Sequence, residues 1–474
     1  MGTRFPNGPK ALPFVGSLLA ARQDLVQFFV DMASYGDLSF TRLGPLRMYL
    51  VNHPQLVETV LIEQQRRLMK DNGTRVLGAL VGEGLLTIEG EHWRHQRKLA
   101  APPLQPKRIA NYAQTMVECA DPLVRGFRDD EVRDLYVDMT RLTLEIAGKT
   151  LLGVDPRRDA EPIAECLDAF LDYFLRQLQT LEGRLPPSIP TPSRQRFKRT
   201  RAELDAIIYR IIERCRRSDA QADHLLARLV RARDDEGQPM SDEQLRNEAV
   251  TMLLAGHETT ALALTYTLYL LAQHPQVAAQ VRAELDQQLA GSPPSAASLP
   301  KLKYLAAVVR ESLRLYPPAF AFGREAIEGF ELAGYPIDKG AQLMFSPYVA
   351  HRDPRYFDNP TEFKPERWLT SKIEELPRFA YFPFGGGPRV CIGNHFALME
   401  TSLVLAVVLA QVELQPVPGF RMELEPSVTL RPRNGFLALI RRRRPVAPRK
   451  SARPARLDGP LAGPAGASSG LGRD

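Results

Sequence analysis

The stretch "FPFGGGPRVCIG", residues 382–393, decides how this chain is read, together with its continuation "NHFALMETSLVLAVVLA". In the continuation apolar residues recur every three or four positions from Phe396 through Leu409, the period of a helix. The dozen residues before it form a tight loop with three consecutive glycines, a proline, an arginine and then Cys391. A sulfur at such a loop-to-helix junction meets unpaired backbone N–H groups and the positive end of the helix dipole, and both favour thiolate over thiol. Read by itself, a lone cysteine is more often a small, inert core residue. The rest of the chain has to separate the two readings.

At 474 residues the chain is long enough for one large core or two to three average domains, and its 44% hydrophobic and 25% charged residues are those of an ordinary globular protein. Cys119, Cys166 and Cys215 stand singly in amphipathic helical stretches with no pair at metal-ligand spacing. That excludes a disulfide framework and a zinc site, and it suits a reducing cytoplasm. No segment reaches the roughly 18–20 unbroken apolar residues of a membrane span. The nearest, "ALPFVGSLLAA" at 11–21, is short, carries a proline and makes no convincing signal peptide. A soluble, cytoplasmic protein without a transmembrane anchor is expected. The net charge of +7 belongs to the end of the chain: from Arg441 onward nine basic residues stand against Asp458 and Asp474, so residues 1–440 are neutral. A neutral body with a basic tail is not a nucleic-acid-binding domain.

After a proline-punctuated lead-in, "LSFTRLGPLRMYLVN" reads as a hairpin about Gly44-Pro45. From Asp121 to Gln288 the pattern is almost continuously helical, broken by "LPPSIPTPS" (185–193) and "RDDEGQPMSDEQ" (233–244). Helices are expected at about 160–181 and 194–217, then a long one at 243–273 closed by His274-Pro275, and another at 301–314 before Pro317-Pro318. Short strands, an irregular proline-rich region (351–377), the cysteine loop with its helix, and closing strands near 420–440 complete a mainly α body. The Pro/Gly/Ala-rich tail from 445 to 474 is expected to be disordered, leaving a single domain over 1–444.

Three further constellations carry chemistry. Glu311 and Arg314 in "VVRESLRLYPP" are three apart on one helix face, with apolar neighbours that leave little of the helix for solvent, and Arg367 in "FKPERW" could complete a buried network. In "TMLLAGHETTALAL", Gly256 would let a ligand approach the backbone of the long helix, and Thr259 would offer a hydroxyl in an opened turn. Glu258 beside it supplies an acid, and acid plus hydroxyl in an apolar wall is a proton path in miniature. Trp93 and Arg97 in "GEHWRHQRKL" are four apart, so indole and guanidinium point the same way and either share a carboxylate or stack on each other.

Together these segments resemble the cytochrome P450 family of haem-thiolate proteins over almost all of residues 8–440. The cysteine loop matches the family's Phe-x-x-Gly-x-Arg-x-Cys-x-Gly pattern at Phe384, Gly387, Arg389, Cys391 and Gly393. "ESLR", "AGHETT", "PERW" and "WRHQR" match four more of its signatures in the expected order. The resemblance implies a single helical prism with small sheets, holding haem b between the long oxygen-binding helix and the cysteine helix. It makes Cys391 the thiolate ligand of the iron, which favours O–O cleavage. Phe384 would shield the sulfur, and the loop glycines, Gly387 and Gly393 among them, would pass close under the porphyrin. Ala255 and Gly256 would lie against its other face. Arg389, Arg97, Arg324 and Trp93 would hold the propionates. Glu258 and Thr259 would deliver protons, and Glu311, Arg314 and Arg367 would form a structural charge network.

The activity this implies is insertion of one oxygen atom from O2 into a C–H or C=C bond of a hydrophobic molecule such as a fatty acid, terpenoid or polyketide. No flavin or nicotinamide domain is seen, so electrons are expected from a separate ferredoxin or flavodoxin with its NAD(P)H-dependent reductase, docking near Arg94 and Lys98. A haem-thiolate isomerase, dehydratase or peroxygenase stays open, although such relatives tend to lack the acid–threonine pair. So does a non-catalytic haem sensor, which needs no such pair. Segments expected at the pocket are apolar: "RVLGALVGEGLL", Phe170, Phe174, Leu253, Ala255 and "PPAFAF". Arg47 and Tyr49 on the first hairpin could hold a carboxylate at the channel mouth.

Overall fold

The computed structural model describes residues 5–443 except 155, 180, 181, 183, 184, 187 and 218–222; the tail expected to be disordered from 445 lies outside the described residues. After a short first helix, α1 (Leu18–Gln23), five helices position the site: α2 (Gly90–Ala100), α3 (Leu135–Ala147), α4 (Asp242–Gln273), α5 (Lys303–Leu315) and α6 (Asn394–Gln411). The axis of the fold is α4. Its start is fixed by Ser241, whose hydroxyl accepts the Gln244 N–H at 3.1 Å, and by Asp242 and Glu243 in the first turn, which suit the positive end of the dipole. His274-Pro275 stops it 32 residues later, after about 48 Å.

With apolar residues on every side, α4 has no solvent face and must be buried all round. Helices α3, α5 and α6 pack against it. The threonines this places in the core satisfy themselves: Thr260, Thr265 and Thr267 each donate to the carbonyl four residues back, at 2.9, 2.7 and 2.6 Å. Helix α6 is long and apolar enough to cross a membrane by length and composition alone, but it packs as a core helix.

A five-stranded sheet lies beside the helices. Strands β1 (Leu38–Leu43) and β2 (Leu46–Val51) form the expected hairpin, and with β3 (Leu68–Lys70), β4 (Phe322–Ala326) and β5 (Gln342–Phe345) they run in the order β1-β2-β5-β4-β3. Only the β2–β5 pairing, Tyr49 opposite Leu343, is parallel. A second hairpin, β6 (Leu424–Pro426) and β7 (Leu430–Pro432), is tied to α4 by the Tyr266 hydroxyl, which donates to the Leu430 carbonyl at 2.8 Å.

The break at 185–193 separates helices Pro156–Gln179 and Pro192–Arg217, close to the expected bounds. One expectation fails. Residues Val132–Asp134, placed in a continuous helical region, form a strand paired with Leu437–Leu439, and Val412–Pro416 completes that closing sheet on the other side. A partner three hundred residues away decides this conformation, not the local pattern.

Candidate active site

The cysteine loop closes on itself: the Cys391 N–H donates to the Phe384 carbonyl at 3.0 Å and the Val390 N–H to Gly387 at 3.1 Å. The glycines are needed for a reason other than passage under a flat ligand. A Cβ on Gly386 would stand 2.1 Å from the Phe379 ring, and one on Gly387, at φ +68°, 2.3 Å from the Leu61 carbonyl oxygen. They press the loop onto the protein behind it. Phe384 packs half-buried against the main core. Cys391 is exposed at the residue level, yet protein surrounds its sulfur at longer range, as at the floor of a recess. Burial pushes its thiol up, against the Gly393 N–H and the Arg97 charge, which pull it down. Of the two attractions foreseen from sequence the backbone N–H is present, Arg97 adds one that was not foreseen, and burial outweighs both. The loop alone does not make a thiolate, and a bound cation would have to displace the proton.

Every residue of α4 from Gln244 to Leu268 is buried except Ala255, Gly256 and Thr259. These three share the turn that "AGHETT" marks. The Thr259 hydroxyl donates to the Ala255 carbonyl at 2.6 Å. A flat group bound between α4 and the cysteine loop that leads into α6 would meet the open turn of Ala255, Gly256 and Thr259 on one side and the exposed Cys391 on the other.

Charge supports the same fit. Arg389 stacks on the Trp93 ring at 4.0 Å, and Arg97 lies over that ring at 5.7 Å. Arg389 also donates to the Ile88 carbonyl at 2.9 Å and pairs with Glu89. Arg324 is buried, and its guanidinium donates to the Gly323 carbonyl at 2.7 Å. Lys70, a residue the sequence reading did not single out, is buried among them. Burial lowers it to about 7, helped by Arg324 and Arg389 and opposed by Glu89 and Asp71. Burial also lowers Arg97 and Arg324, and brings Arg389 down to about 10. Two buried cations, Lys70 and Arg324, and two half-buried ones, Arg97 and Arg389, face the carboxylates of Glu89 and Asp71, so basic groups outnumber acids here, which fits the two propionates of haem b. Lys70 and Glu89 left no sequence signal, because each is an ordinary charge in a short polar stretch.

The structural network forms as expected. Glu311 accepts from Arg314 at 2.8 and 2.9 Å, from Arg367 at 3.0 Å and from the Lys364 N–H at 3.0 Å. Trp368, one residue past Arg367, donates its indole N–H at 2.8 Å. Arg314 also donates to the His351 carbonyl at 2.9 Å, and His351 Nε2 accepts the Phe382 N–H at 2.8 Å, which links the network to the cysteine loop.

Other expectations need correction. Glu258 is buried, but its Oε1 accepts from Thr429 at 2.8 Å and from Arg431 of β7, so the acid is held by the β6–β7 hairpin rather than joined to Thr259. The pair is adjacent in sequence and about 100° apart around the helix. Arg94 and Lys98 are engaged in surface ion pairs with Glu91 and Asp235. Arg47 pairs with Asp338, and Tyr49 is wholly buried with its hydroxyl pushed up to about 12, so the two form no carboxylate clamp at a channel mouth. Phe170 and Phe174 are buried, and Phe170 packs on Phe197 at 5.6 Å.

Residues 6–439 match the family model described as cytochrome P450, and the chain belongs to that family of monooxygenases. Among similar proteins are cyclooctatin synthase of Streptomyces melanosporofaciens, 36% identical over 89% of this chain and 92% of the relative, and cyclooctat-9-en-7-ol 5-monooxygenase of the same organism, 34% identical over 87% and 90%. Pentalenene oxygenase of Streptomyces avermitilis is 31% identical over 90% of this chain and 92% of its own length.

Proposed function

We propose that this protein inserts one oxygen atom from O2 into a terpenoid-class hydrophobic substrate, using haem b ligated by Cys391. The observation that carries the reading is the surplus of basic groups, Lys70 and Arg324 buried and Arg97 and Arg389 half-buried, beside an exposed cysteine. Trp93, Arg97, Arg324, Arg389 and Lys70 would hold the propionates, Phe384 and Gly393 would flank the sulfur, and Ala255 and Gly256 would bound the opposite face. When bound, the haem supplies O2 activation, with the thiolate favouring O–O cleavage. The chain's own part is to hold the substrate against that face and to orient protons. Thr259 Oγ1 gives its proton to the Ala255 carbonyl, so its lone pairs accept from a water in the opening. Glu258 acts there only if Arg431 releases it. The terpenoid class rests on the relatives, whose names place oxygen on cyclooctat-9-en-7-ol and pentalenene. Electrons come from a separate ferredoxin or flavodoxin and its NAD(P)H-dependent reductase.

The test is spectroscopic. The reduced protein with carbon monoxide should show the red-shifted Soret band of a thiolate-bound haem. Cys391→Ser should lose it, while Cys119, Cys166 and Cys215 variants keep it. Retention of the band in Cys391→Ser would sink the assignment. Titrating the ferric protein with terpenes, fatty acids and macrolides should then give the largest spectral shifts with terpenes.

A further inference from the structure

The break "RDDEGQPMSDEQ" at 233–244 plays no part in the haem site. In the structure it opens as a tight turn after the short helix Leu225–Arg231. The Asp234 N–H donates to the Gln238 carbonyl at 3.0 Å and the Gly237 N–H to the Asp234 carbonyl at 3.1 Å, with Gly237 at φ +78°. Between this turn and the C-terminal end of α2 lies a cavity of about 450 Å³. Leu99, Pro102, Pro103 and Ala232 give it an apolar wall. Lys98, Arg108, Arg228, Arg231 and Arg233 line the rest, against the carboxylates of Asp234 and Asp235.

Both carboxylates are already used. Asp235 accepts from Lys98 Nζ at 2.6 and 2.7 Å. Asp234 Oδ1 accepts the Glu236 and Gln238 N–H groups at 3.1 and 2.6 Å, and its Oδ2 stands 3.8 Å from His95. Outside the cavity wall, Asp223 pairs with Arg228. Arg108 and Arg233 are left without a carboxylate among the described residues. Arg233 Nη1 donates to the Val230 and Ala232 carbonyls at 3.1 and 2.8 Å, which pins its guanidinium at the end of the short helix and leaves Nε and Nη2 for a ligand. Two such guanidiniums beside an apolar wall suit an anion that carries a flat, weakly polar body. Inorganic phosphate fills little of this volume, and the single carboxylate of a fatty acid answers one arginine only. We propose that the cavity binds a nucleoside diphosphate group. Its base lies against Leu99, Pro102 and Pro103, and its diphosphate is held by Arg108 and Arg233.

Equilibrium dialysis of ADP against the full-length protein tests this without reading haem or activity. ADP should bind at a single site per chain, and more weakly as salt rises. Inorganic diphosphate and adenosine, each offering half of the contacts, should bind at least about tenfold more weakly than ADP. Arg108→Gln and Arg233→Gln should each cut the affinity about tenfold, and the double variant on the order of a hundredfold. Arg108 is exposed and makes no side-chain bond among the described residues, so Arg108→Gln should melt as the parent does and is the variant free of folding effects. Arg199→Gln, on an exposed face of another helix, should bind ADP as the parent does. The proposal is overturned if ADP does not bind, or if inorganic diphosphate binds as tightly, which would make the cavity a site for simple anions. Geranyl diphosphate binding more tightly than ADP would overturn it in favour of a prenyl diphosphate. Parent affinity in the double variant would also overturn it, placing the nucleotide elsewhere, such as on the basic end of the chain.

Discussion

Two charge clusters meet the cysteine loop, one through His351 and Phe382 and the other through Arg389, and they are built on opposite terms. Around Glu311 the carboxylate is used by four donors besides Arg314's second nitrogen, and Arg314 goes on to three backbone carbonyls, those of His351, Pro360 and Glu362. Around Trp93, four cations share two carboxylates. A buried charge costs stability unless it is paired. The first cluster is complete within the protein and holds the fold. The second works against the fold until an anion arrives, and a fold tolerates that where a ligand repays it. Removing a charge should therefore do opposite things in the two places.

The largest effect is expected at Glu311. Glu311→Gln leaves Arg314 and Arg367 buried without their carboxylate, which should cost about 3–5 kcal/mol in urea denaturation. A variant as stable as its parent would break the comparison at its stronger end.

Lys70 should behave in reverse. Its ammonium falls from 10.5 to about 7 on folding, with burial as the largest cause. Between those values the unfolded chain binds one more proton than the folded one, so stability of the haem-free protein rises as pH goes from about 7 toward 10.5. Below about 7 the penalty is present in full. Lys70→Met should abolish this rise, a gain at neutral pH of up to about 4 kcal/mol. Denaturant midpoints of parent and variant at pH 7 and 9 decide it, and parallel curves would mean that Lys70 already has its counter-charge.

The contrast between the clusters was only half legible in the sequence. Glu311, Arg314 and Arg367 could be named because helical spacing joins the first two and a short motif carries the third. The long helix was bounded within a residue of Asp242–Gln273 because a polar break precedes it and a proline step closes it. Cys391, Gly256 and Thr259 also stood out, as breaks in otherwise regular patterns, and Ala255 came with the family motif around them. What escaped was pairing over long range. Lys70 meets Arg324 through the antiparallel register of β3 with β4, Glu258 meets Arg431 through the β6–β7 hairpin, and Val132–Asp134 became a strand through residues near the chain's end. Each depends on which distant segment arrives, and one residue's neighbours in sequence do not encode that.

The smallest effect on stability, and the sharpest test of the open turn, comes from comparing two adjacent threonines. Thr259 and Thr260 make the same bond, each hydroxyl donating to the carbonyl four residues back, at 2.6 and 2.9 Å. They differ in surroundings: Thr260 is sealed in the core and Thr259 belongs to the opening with Ala255 and Gly256. Thr260→Ala removes a buried hydroxyl and its methyl's packing, so it should cost about 1–2 kcal/mol and leave chemistry alone. Thr259→Ala should change stability by less than about 0.5 kcal/mol, because water already reaches that site. Haem content and substrate affinity should also be kept, and NADH should still be consumed with a surrogate ferredoxin system. Product per NADH should fall several-fold, with the missing reducing equivalents appearing as hydrogen peroxide or water, because the water that Thr259 orients is no longer held. Glu258→Gln belongs with the core residue rather than with Thr259: it weakens the hold of Thr429 and Arg431 and should lower stability together with turnover. If Thr259→Ala yields as much product per NADH as the parent, the open turn only makes room for the ligand and its hydroxyl has no part in proton delivery.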